Sequence, residues 1–220
     1  MYKVGINLSL SFTDQDIQDI TLRLHSVLTK MGIHAYIDRS LQSVIALEHE
    51  VTIAFFASRL GKAILNMQID CLESRECFTK LDNLVSLSNL IIKELGLVTV
   101  NNVEYAVKRE LIYEDISEIN LNNIDQKLRH RGFLRISSSR KDVDLGLKTG
   151  KLLTYKYKYI DSRLNPILID IIYILRRSGL NITIVTCLTL TRLPVTSDFL
   201  IKLMSLSDVV LAIIQDSLKG

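Results

Sequence analysis

The sequence has no tryptophan, and only 2 prolines and 9 glycines occur among its 220 residues. This scarcity excludes the collagen-like and mucin-like classes, and a hydrophobic fraction of 48% excludes a largely disordered chain. Long regular elements joined by simple loops are therefore expected. Because the length is sufficient for a large buried core, we expect residues 1–220 to form a single globular domain.

The chain also lacks the residue spacings of a disulfide framework or a zinc site. The cysteine count is odd and includes no CxxC pair, which indicates buried core thiols at Cys71, Cys77 and Cys187. The histidines are scattered without metal-ligand spacing, at positions His25, His34, His49 and His130. A zinc protein is therefore not expected.

Long uninterrupted apolar runs are missing as well. Asp170 divides the stretch ILIDIIYIL and Asp208 directly precedes VVLAII. No segment therefore supplies the roughly 18 apolar residues that a membrane-spanning helix needs. The opening MYKVGINLSLSF lacks the apolar core and the cleavage site of a signal peptide. We expect a cytoplasmic protein that has no membrane partner.

Strand-like and helix-like patterns alternate along the chain. The opening YKVGINLSLSF predicts a strand, TDQDIQDITLRLHSVLTKMG (residues 13–32) predicts an amphipathic helix, and IHAYID and VTIAFFA predict strands. Later, strands are predicted at FLRISSS, YKYKYI, NITIVTCL and DVVLAII, and helices at NNIDQKLRHRG, DVDLGLKTGKLL, residues 166–178 and TSDFLIKLMSLS. Such alternation favours an α/β fold, so we expect a Rossmann-like three-layer sandwich with a mostly parallel sheet.

The helix at residues 166–178 has capping signals at both ends. Asn165 is a good N-cap, Pro166 suits the first helical turn, and Gly179 is a natural residue just past the helix end. The preceding strand would end near Asp161. The helix start and this aspartate together predict a place where a metal ion or a phosphate could bind.

Residues 60–120 do not fit the alternation. Their pattern predicts helices over about 60–95, followed by a hairpin that turns at Asn101 and Asn102. We therefore expect a helical and hairpin insertion here. Its apolar content exceeds what a solvated insertion needs, which makes it a candidate surface for a homo-oligomer. No internal repeat is apparent in the sequence.

Positive charge is concentrated in one segment. Residues 127–158 contain 10 Lys or Arg and 2 acidic residues, a charge of +8 that leaves −5 for the rest of a chain whose net charge is +3. Clustered cations favour phosphate contacts, so we expect nucleic acid to bind at Arg135, Arg140, Lys141 and Lys151. A solvated face, or a small acidic substrate, would account for the same charges.

Three stretches in the C-terminal third carry a family resemblance. KDVDLGLKTGKLL contains Lys141, Val143 and Asp144, IDSRLNPILIDIIYILRRSGLNITIVT contains Asp161, and FLIKLMSLSDVVLAI contains Asp208. In order and spacing these stretches resemble the NYN branch of the PIN-like nuclease superfamily. The resemblance implies a Rossmann-like fold with its site at the carboxyl ends of the strands.

The resemblance also implies a metal site. Nucleases of this kind hold a divalent metal with clustered carboxylates, and the metal activates the attacking water. Asp144 and Asp161 are thereby implied as catalytic residues and, together with Asn7 and Asp38, as ligands of Mg²⁺ or Mn²⁺. Asn7 and Arg163 stand where the family has aspartates. Because an arginine repels a metal ion and attracts phosphate, Arg163 is implied as a nucleic-acid-binding residue.

The combined interpretation is a PIN/NYN-like domain that binds RNA or another nucleic acid, with weak or lost metal-dependent nuclease activity. One alternative is an active metal-dependent endoribonuclease. Another is a nucleotide- or N-glycosidic-bond-processing Rossmann-like enzyme, since KVGINLSLSF and GIHAYIDR resemble the opening of TIR domains and nucleoside deoxyribosyltransferases. A third is a non-catalytic oligomerisation scaffold.

Overall fold

The fold contains ten β-strands and four α-helices in the part of the chain that the computed structural model describes. The described residues are 1–11, 17–38, 43–48, 51–58, 62–96, 99–114, 119–144, 149–160, 166–176, 179–191 and 194–218. In chain order the elements are β1 (Tyr2–Ser11), α1 (Ile17–Lys30), β2 (Ala35–Asp38), β3 (Ser43–Glu48), β4 (Val51–Ser58), β5 (Lys62–Cys71), α2 (Ser74–Leu95), β6 (Thr99–Glu114), α3 (Leu121–His130), β7 (Phe133–Asp144), β8 (Thr149–Tyr159), β9 (Ile167–Arg176), β10 (Gly179–Leu190) and α4 (Ser197–Leu218).

The order of these elements is a structural repeat. A strand, a helix, four strands and a helix follow one another from β1 to α2, and the same order recurs from β6 to α4. The sequence shows no matching repeat, because a fold of this kind needs the same pattern of buried positions and not the same residues.

The chain divides into two compact units. The N-terminal unit contains Lys3–Ala106 and Thr189–Leu200, and the C-terminal unit contains Met1–Tyr2, Val107–Leu188 and Ile201–Gly220. The single-domain organisation of residues 1–220 stays a prediction.

The sheets of both units are antiparallel. The strand order is β2-β3-β4-β5-β1-β6 in the N-terminal unit and β6-β10-β9-β8-β7 in the C-terminal unit. Antiparallel pairs join β2 to β5 in succession and β7 to β10 in succession. Two to seven residues link the members of these pairs, whereas parallel neighbours need a crossover of about a dozen or more. The expected Rossmann-like sandwich with a mostly parallel sheet is therefore wrong.

Strand β9 replaces the helix expected at residues 166–178. Ile167–Arg176 pairs with β8 on one side and β10 on the other, and alternate residues such as Ile169 and Ile171 are fully buried. β-Branched residues favour a strand over a helix, and here they outweigh the capping signals. Gly179 begins β10 at φ +141°, and a Cβ there would collide with the carbonyl oxygen of Tyr113. This glycine permits close backbone approach and does not terminate a helix.

Two other local predictions fail and several are confirmed. The strand expected at DVVLAII is the second half of α4, and the helix expected at DVDLGLKTGKLL contributes its described residues to β7 and β8. Helix α4 keeps one buried stripe at helical spacing, which includes Leu203, Ser207, Val210 and Ile214. The predictions of α1, α3, β1, β2, β4, β7, β8 and β10 are confirmed.

Residues 60–120 are an integral part of the fold and not an insertion. They supply β5, α2 and β6, and β6 runs straight through the expected hairpin turn at Asn101 and Asn102. Helix α2 covers β5. Much of the apolar content that suggested a self-association surface is therefore buried, including Leu65, Leu84 and Ile91.

In the N-terminal unit one sheet face is buried and the other is open. Val51, Ile53 and Phe55 of β4 are buried. The next residue, Phe56, lies on the other face of the sheet and is 49% exposed. The buried face packs against α1 and α2. The open face carries exposed large side chains, namely Tyr36, Ile45, Leu47, Phe56 and Ile64. An antiparallel sheet can leave one face uncovered in this way.

In the C-terminal unit α3 and α4 cover the sheet. Helix α3 packs on β7, and Ile124 and Leu128 form its buried side. Helix α4 lies against β10, where the buried Thr186 hydroxyl donates to the carbonyl of Leu203 at 3.3 Å.

Two cysteines form a disulfide, contrary to the expectation of three core thiols. Cys71 at the end of β5 bonds to Cys77 in α2, with 5.5 Å between the Cα atoms. Both are buried, and Cys187 takes no part in this disulfide. The bond attaches the start of α2 to the strand that it covers.

None of the described helices is long and apolar enough to cross a membrane.

Candidate functional site: a cationic groove

A groove of about 440 Å³ lies in the C-terminal unit, bordered by the start of α3 and by strands β7, β8 and β9. Its polar lining comes from β7 and β8 and consists of Ser138, Ser139, Arg140, Lys151 and Tyr155. Its apolar lining consists of Ile119, Leu121, Leu153 and Leu175. The groove therefore combines two cations and the hydroxyls of Ser138 and Tyr155 with an apolar floor; Ser139 borders it but pairs with Thr154, so its side chain belongs to the other face of the sheet.

An irregularity in β7 decides which side chains face the groove. Arg135 pairs with Tyr157, the register shifts between Arg135 and Ser137, and Ser138 then pairs with Tyr155. Alternate residues of β8 face one side of the sheet, and their partners on β7 share that side. A bulge of this kind re-aims the residues that follow it. It brings Arg140 to the side that carries the groove.

The electrostatics of the groove are positive. Arg140 and Lys151 are exposed, neither forms an ion pair with another described residue, and none of the described lining residues is acidic. The nearest acid in strand register is Asp142, the partner of Lys151. The start of α3 adds the partial positive charge of a helix N-terminus. Its N-cap is Asn120, whose side chain accepts from the backbone N–H of Asn123 at 3.1 Å.

A side-chain network holds α3 against the sheet beside the groove. The buried Tyr157 hydroxyl donates to Asp125 at 3.1 Å, and the same carboxylate contacts Arg129 at 3.0 Å and Arg135 at 3.4 Å. Burial, and after it the charge and hydrogen bond of Asp125, raise the pKa of the Tyr157 phenol well above 10.0. The phenol therefore stays a neutral donor at physiological pH.

Tyr155 in the groove has a fixed neighbour. Its ring meets the edge of Tyr173 with 6.0 Å between the ring centres. Tyr173 is buried, and burial raises the pKa of its phenol well above 10.0. Contact with this buried ring restricts the motion of the Tyr155 ring.

The predicted nucleic-acid-binding residues occupy three kinds of position. Arg140 and Lys151 meet in the groove. Arg135 instead contacts Asp125, and Lys141 pairs with Leu152 on the opposite face of the sheet. Arg163 lies outside the described residues.

The described residues do not bring the predicted metal ligands together. Asn7 on β1 and Asp38 on β2 belong to the N-terminal unit, where β3, β4 and β5 separate their strands. Asp144 ends β7 in the C-terminal unit, and only its backbone is described; Asp161 lies outside the described residues. No group of three or more potential ligands among the described residues could hold a metal ion. The metal site, and Mg²⁺ or Mn²⁺ as its cofactor, stay predictions.

The Asn7 side chain is engaged in hydrogen bonds within its own sheet. Its amide nitrogen donates to Glu104 at 2.8 Å, and its carbonyl oxygen accepts from Asn66. These contacts give Asn7 a role in joining β1 to its neighbours.

Sequence reasoning missed the hydroxyl groups and the apolar floor of the groove. Ser138 and Ser139 stand in the run SSS, and Tyr155 stands in YKYKY, so polar and aromatic signals were present. Their shared location follows from the β7–β8 register, which a bulge modifies, and no local pattern reveals it.

Comparisons with known proteins assign no family. No protein-family model matches the chain, and no curated protein matches it. Among solved structures, similarity extends to Methanococcus jannaschii TBP (14% identity, 99% of both chains, TM-score 0.30) and to the di-domain ARO/CYC StfQ from the steffimycin biosynthetic pathway (8% identity, 98% of both chains, TM-score 0.35). A third is the immunity protein TplEi of T6SS from Pseudomonas aeruginosa (10% identity, 99% of this chain and 90% of that chain, TM-score 0.26).

None of these three structures is a PIN-like nuclease, and at such TM-scores none of them bears on function. The Rossmann-like fold that the PIN/NYN resemblance implied is wrong, since the described sheets are antiparallel.

Proposed function

We propose that the protein binds nucleic acid, with RNA as the first ligand to test, through the cationic groove of the C-terminal unit. The observation that carries the proposal is the meeting of Arg140 and Lys151, from two neighbouring strands, in a groove without an acidic residue among its described lining. A guanidinium and an ammonium both bind phosphate, and the guanidinium can do so with two parallel hydrogen bonds.

Other cations of this unit would extend the contact beyond the groove. Arg131 at the end of α3 is exposed. Lys141 is exposed too, but on the opposite face of the sheet, so only a nucleic-acid strand that passes around the edge strand β7 would reach it. Neither forms an ion pair with another described residue. By contrast, Lys127 contacts Asp216 and Lys156 contacts Asp170. The cations without such carboxylate partners are the ones available to phosphates of a longer strand.

Binding of this kind does not need a metal ion, because the contacts come from side-chain cations. We therefore expect affinity to be unchanged when a chelator is added. A requirement for Mg²⁺ or Mn²⁺ would instead favour the metal site that involves Asp144 and Asp161, whose side chains are not described.

The test is fluorescence anisotropy of a short labelled oligouridylate over a series of salt concentrations. Replacing Arg140 and Lys151 together with Ala should weaken binding by at least about tenfold, since each charged hydrogen bond contributes about 1.5 kcal/mol or more. The slope of log affinity against log salt should become shallower by about 1.4, because each phosphate contact to a single strand contributes about 0.7.

The matched control replaces Lys30 and Lys93 with Ala, since both are exposed and belong to the N-terminal unit. It removes the same charge and should leave affinity and slope nearly unchanged. Equal losses in the two double variants would mean that only net charge matters, and the groove would then not be the binding site.

A further inference from the structure

The groove has an apolar part that phosphate contacts do not use. This part is an apolar wall that consists of Leu121, Leu153, Leu175 and the ring of Tyr155. We infer that the groove holds one unstacked nucleotide of a single strand, with its phosphate on Arg140 and its base against this apolar wall; the inference rests on the proposed function.

The Tyr155 ring is suited to stack on a base. It is half-buried, and it makes an edge contact with the ring of the buried Tyr173. A ring that is ordered before binding loses little entropy when a base stacks on it. Aromatic stacking accepts every base, because each base has a π-face.

The polar groups of the groove suit the rest of a nucleotide. Arg140 and Lys151 supply positive charge for the phosphate, and the hydroxyls of Ser138 and Tyr155 supply neutral donors and acceptors. Such hydroxyls can pair with a sugar or with the edge of a base. The groove thus presents chemistry for each of the three parts of a nucleotide.

A duplex cannot use the apolar wall. Its bases are stacked inside the helix, so it offers phosphates and sugars to a protein groove, whereas an unpaired base can turn outward and stack on an aromatic side chain. The volume of about 440 Å³ lies toward the lower end of the range for small-ligand sites, which is about 300–1,000 Å³. This size favours one nucleotide at a time.

The experiment compares three labelled probes: a short single-stranded oligouridylate, an abasic oligonucleotide of the same length, and a duplex of the same length. The wild-type protein should bind the base-bearing single strand about tenfold more tightly than the abasic strand, which is the size of effect expected from one stacked base. Tyr155→Leu should remove this difference, and Tyr155→Phe should keep it because the ring remains.

The matched control is Tyr36→Leu, since Tyr36 is 68% exposed on the open face of the N-terminal unit. It should leave all three affinities unchanged. Circular dichroism and thermal unfolding of each variant establish that the protein is folded, and the wild-type comparison of the base-bearing and abasic strands still tests the inference if Tyr155→Leu does not fold.

The outcomes separate this inference from the proposed function. Equal wild-type affinity for the base-bearing and abasic strands, while Arg140→Ala with Lys151→Ala still weakens both, would overturn the base-stacking inference and leave phosphate binding intact. Failure of the wild-type protein to bind any strand would overturn both. Free uridine monophosphate can also be used as a competitor of the labelled probe. If it displaces the probe at concentrations as low as those of unlabelled oligouridylate, the groove is a site for free nucleotides.

Discussion

The Tyr157 phenol makes the folding stability of the C-terminal unit depend on pH. Its phenol is buried and donates to Asp125, and both the burial and the carboxylate raise its pKa well above 10.0. In the unfolded chain a tyrosine titrates near its ordinary pKa of about 10. Above that pH the unfolded state loses a proton that the folded state keeps, so stability is complete below about pH 10 and falls as the pH rises further.

We predict that Tyr157→Phe lowers the free energy of unfolding by about 1 kcal/mol near pH 7, through loss of the hydrogen bond to Asp125. The advantage of the wild type should fall by about 1.4 kcal/mol by about pH 11, so that the variant becomes slightly the more stable of the two, because the variant lacks the group that titrates. Urea unfolding measured at several pH values tests this. Tyr36→Phe, at an exposed position, is the control. Parallel pH profiles of wild type and Tyr157→Phe would contradict the prediction.

At the same scale, charge alone does not define the candidate site. Sequence reasoning selected Arg135, Arg140, Lys141 and Lys151 from one basic segment. The structure places Arg140 and Lys151 in the groove, Arg135 beside Asp125, and Lys141 on the other sheet face. These differences depend on side-chain direction along β7, which a single bulge changes.

Among the elements, β4 distinguishes the observed architecture from the expected one. Phe55 is fully buried and the next residue, Phe56, is 49% exposed. A central strand of a parallel sheet would be covered on both faces. The burial of Phe55 therefore shows that one face of the sheet is covered, and the exposure of Phe56 shows that the other face is open.

We predict that Phe55→Ala lowers the free energy of unfolding by about 4 kcal/mol, because it leaves a cavity in the core. Phe56→Ala should cost about 1 kcal/mol or less, since the side chain loses little packing. Urea unfolding of both variants gives the comparison. Similar large losses at both positions would indicate that the second face is also covered.

For the whole molecule, the two units present different surfaces although their elements follow the same order. The open face in the N-terminal unit carries apolar side chains such as Leu47 and Phe56, and the groove of the C-terminal unit carries Arg140 and Lys151. Repetition of the element order thus does not imply repetition of function. A ligand that binds through phosphate contacts should distinguish the two units.

We predict that bound single-stranded RNA slows amide hydrogen exchange in β7, in β8 and in the first turn of α3, and leaves β2 to β5 unchanged. The reason is that exchange slows where a ligand stabilises the closed state of nearby amides. Exchange measured by mass spectrometry with and without RNA tests this. Protection centred on the apolar open face of the N-terminal unit would place the binding site there instead.

The sequence by itself determined those features that depend on local pattern. Clear periodicity identified α1, local sequence identified the short helix α3 and the strand β4, and composition located the basic segment at residues 127–158. In each case one structure fits the pattern much better than its competitors. The cations of the candidate groove were therefore predictable from sequence as residues, although not as a site.

Only the tertiary structure decided the features whose local pattern was ambiguous or whose partners are distant in sequence. Residues 167–176 are apolar at nearly every position, so a helix and a strand both fit locally, and pairing with β8 and β10 makes them a strand. The same holds for the antiparallel sheet, the Cys71–Cys77 bond and the meeting of Arg140 with Lys151. Backbone hydrogen bonds and close packing between separated segments select one of these alternatives, and a single stretch of sequence contains no record of its partner.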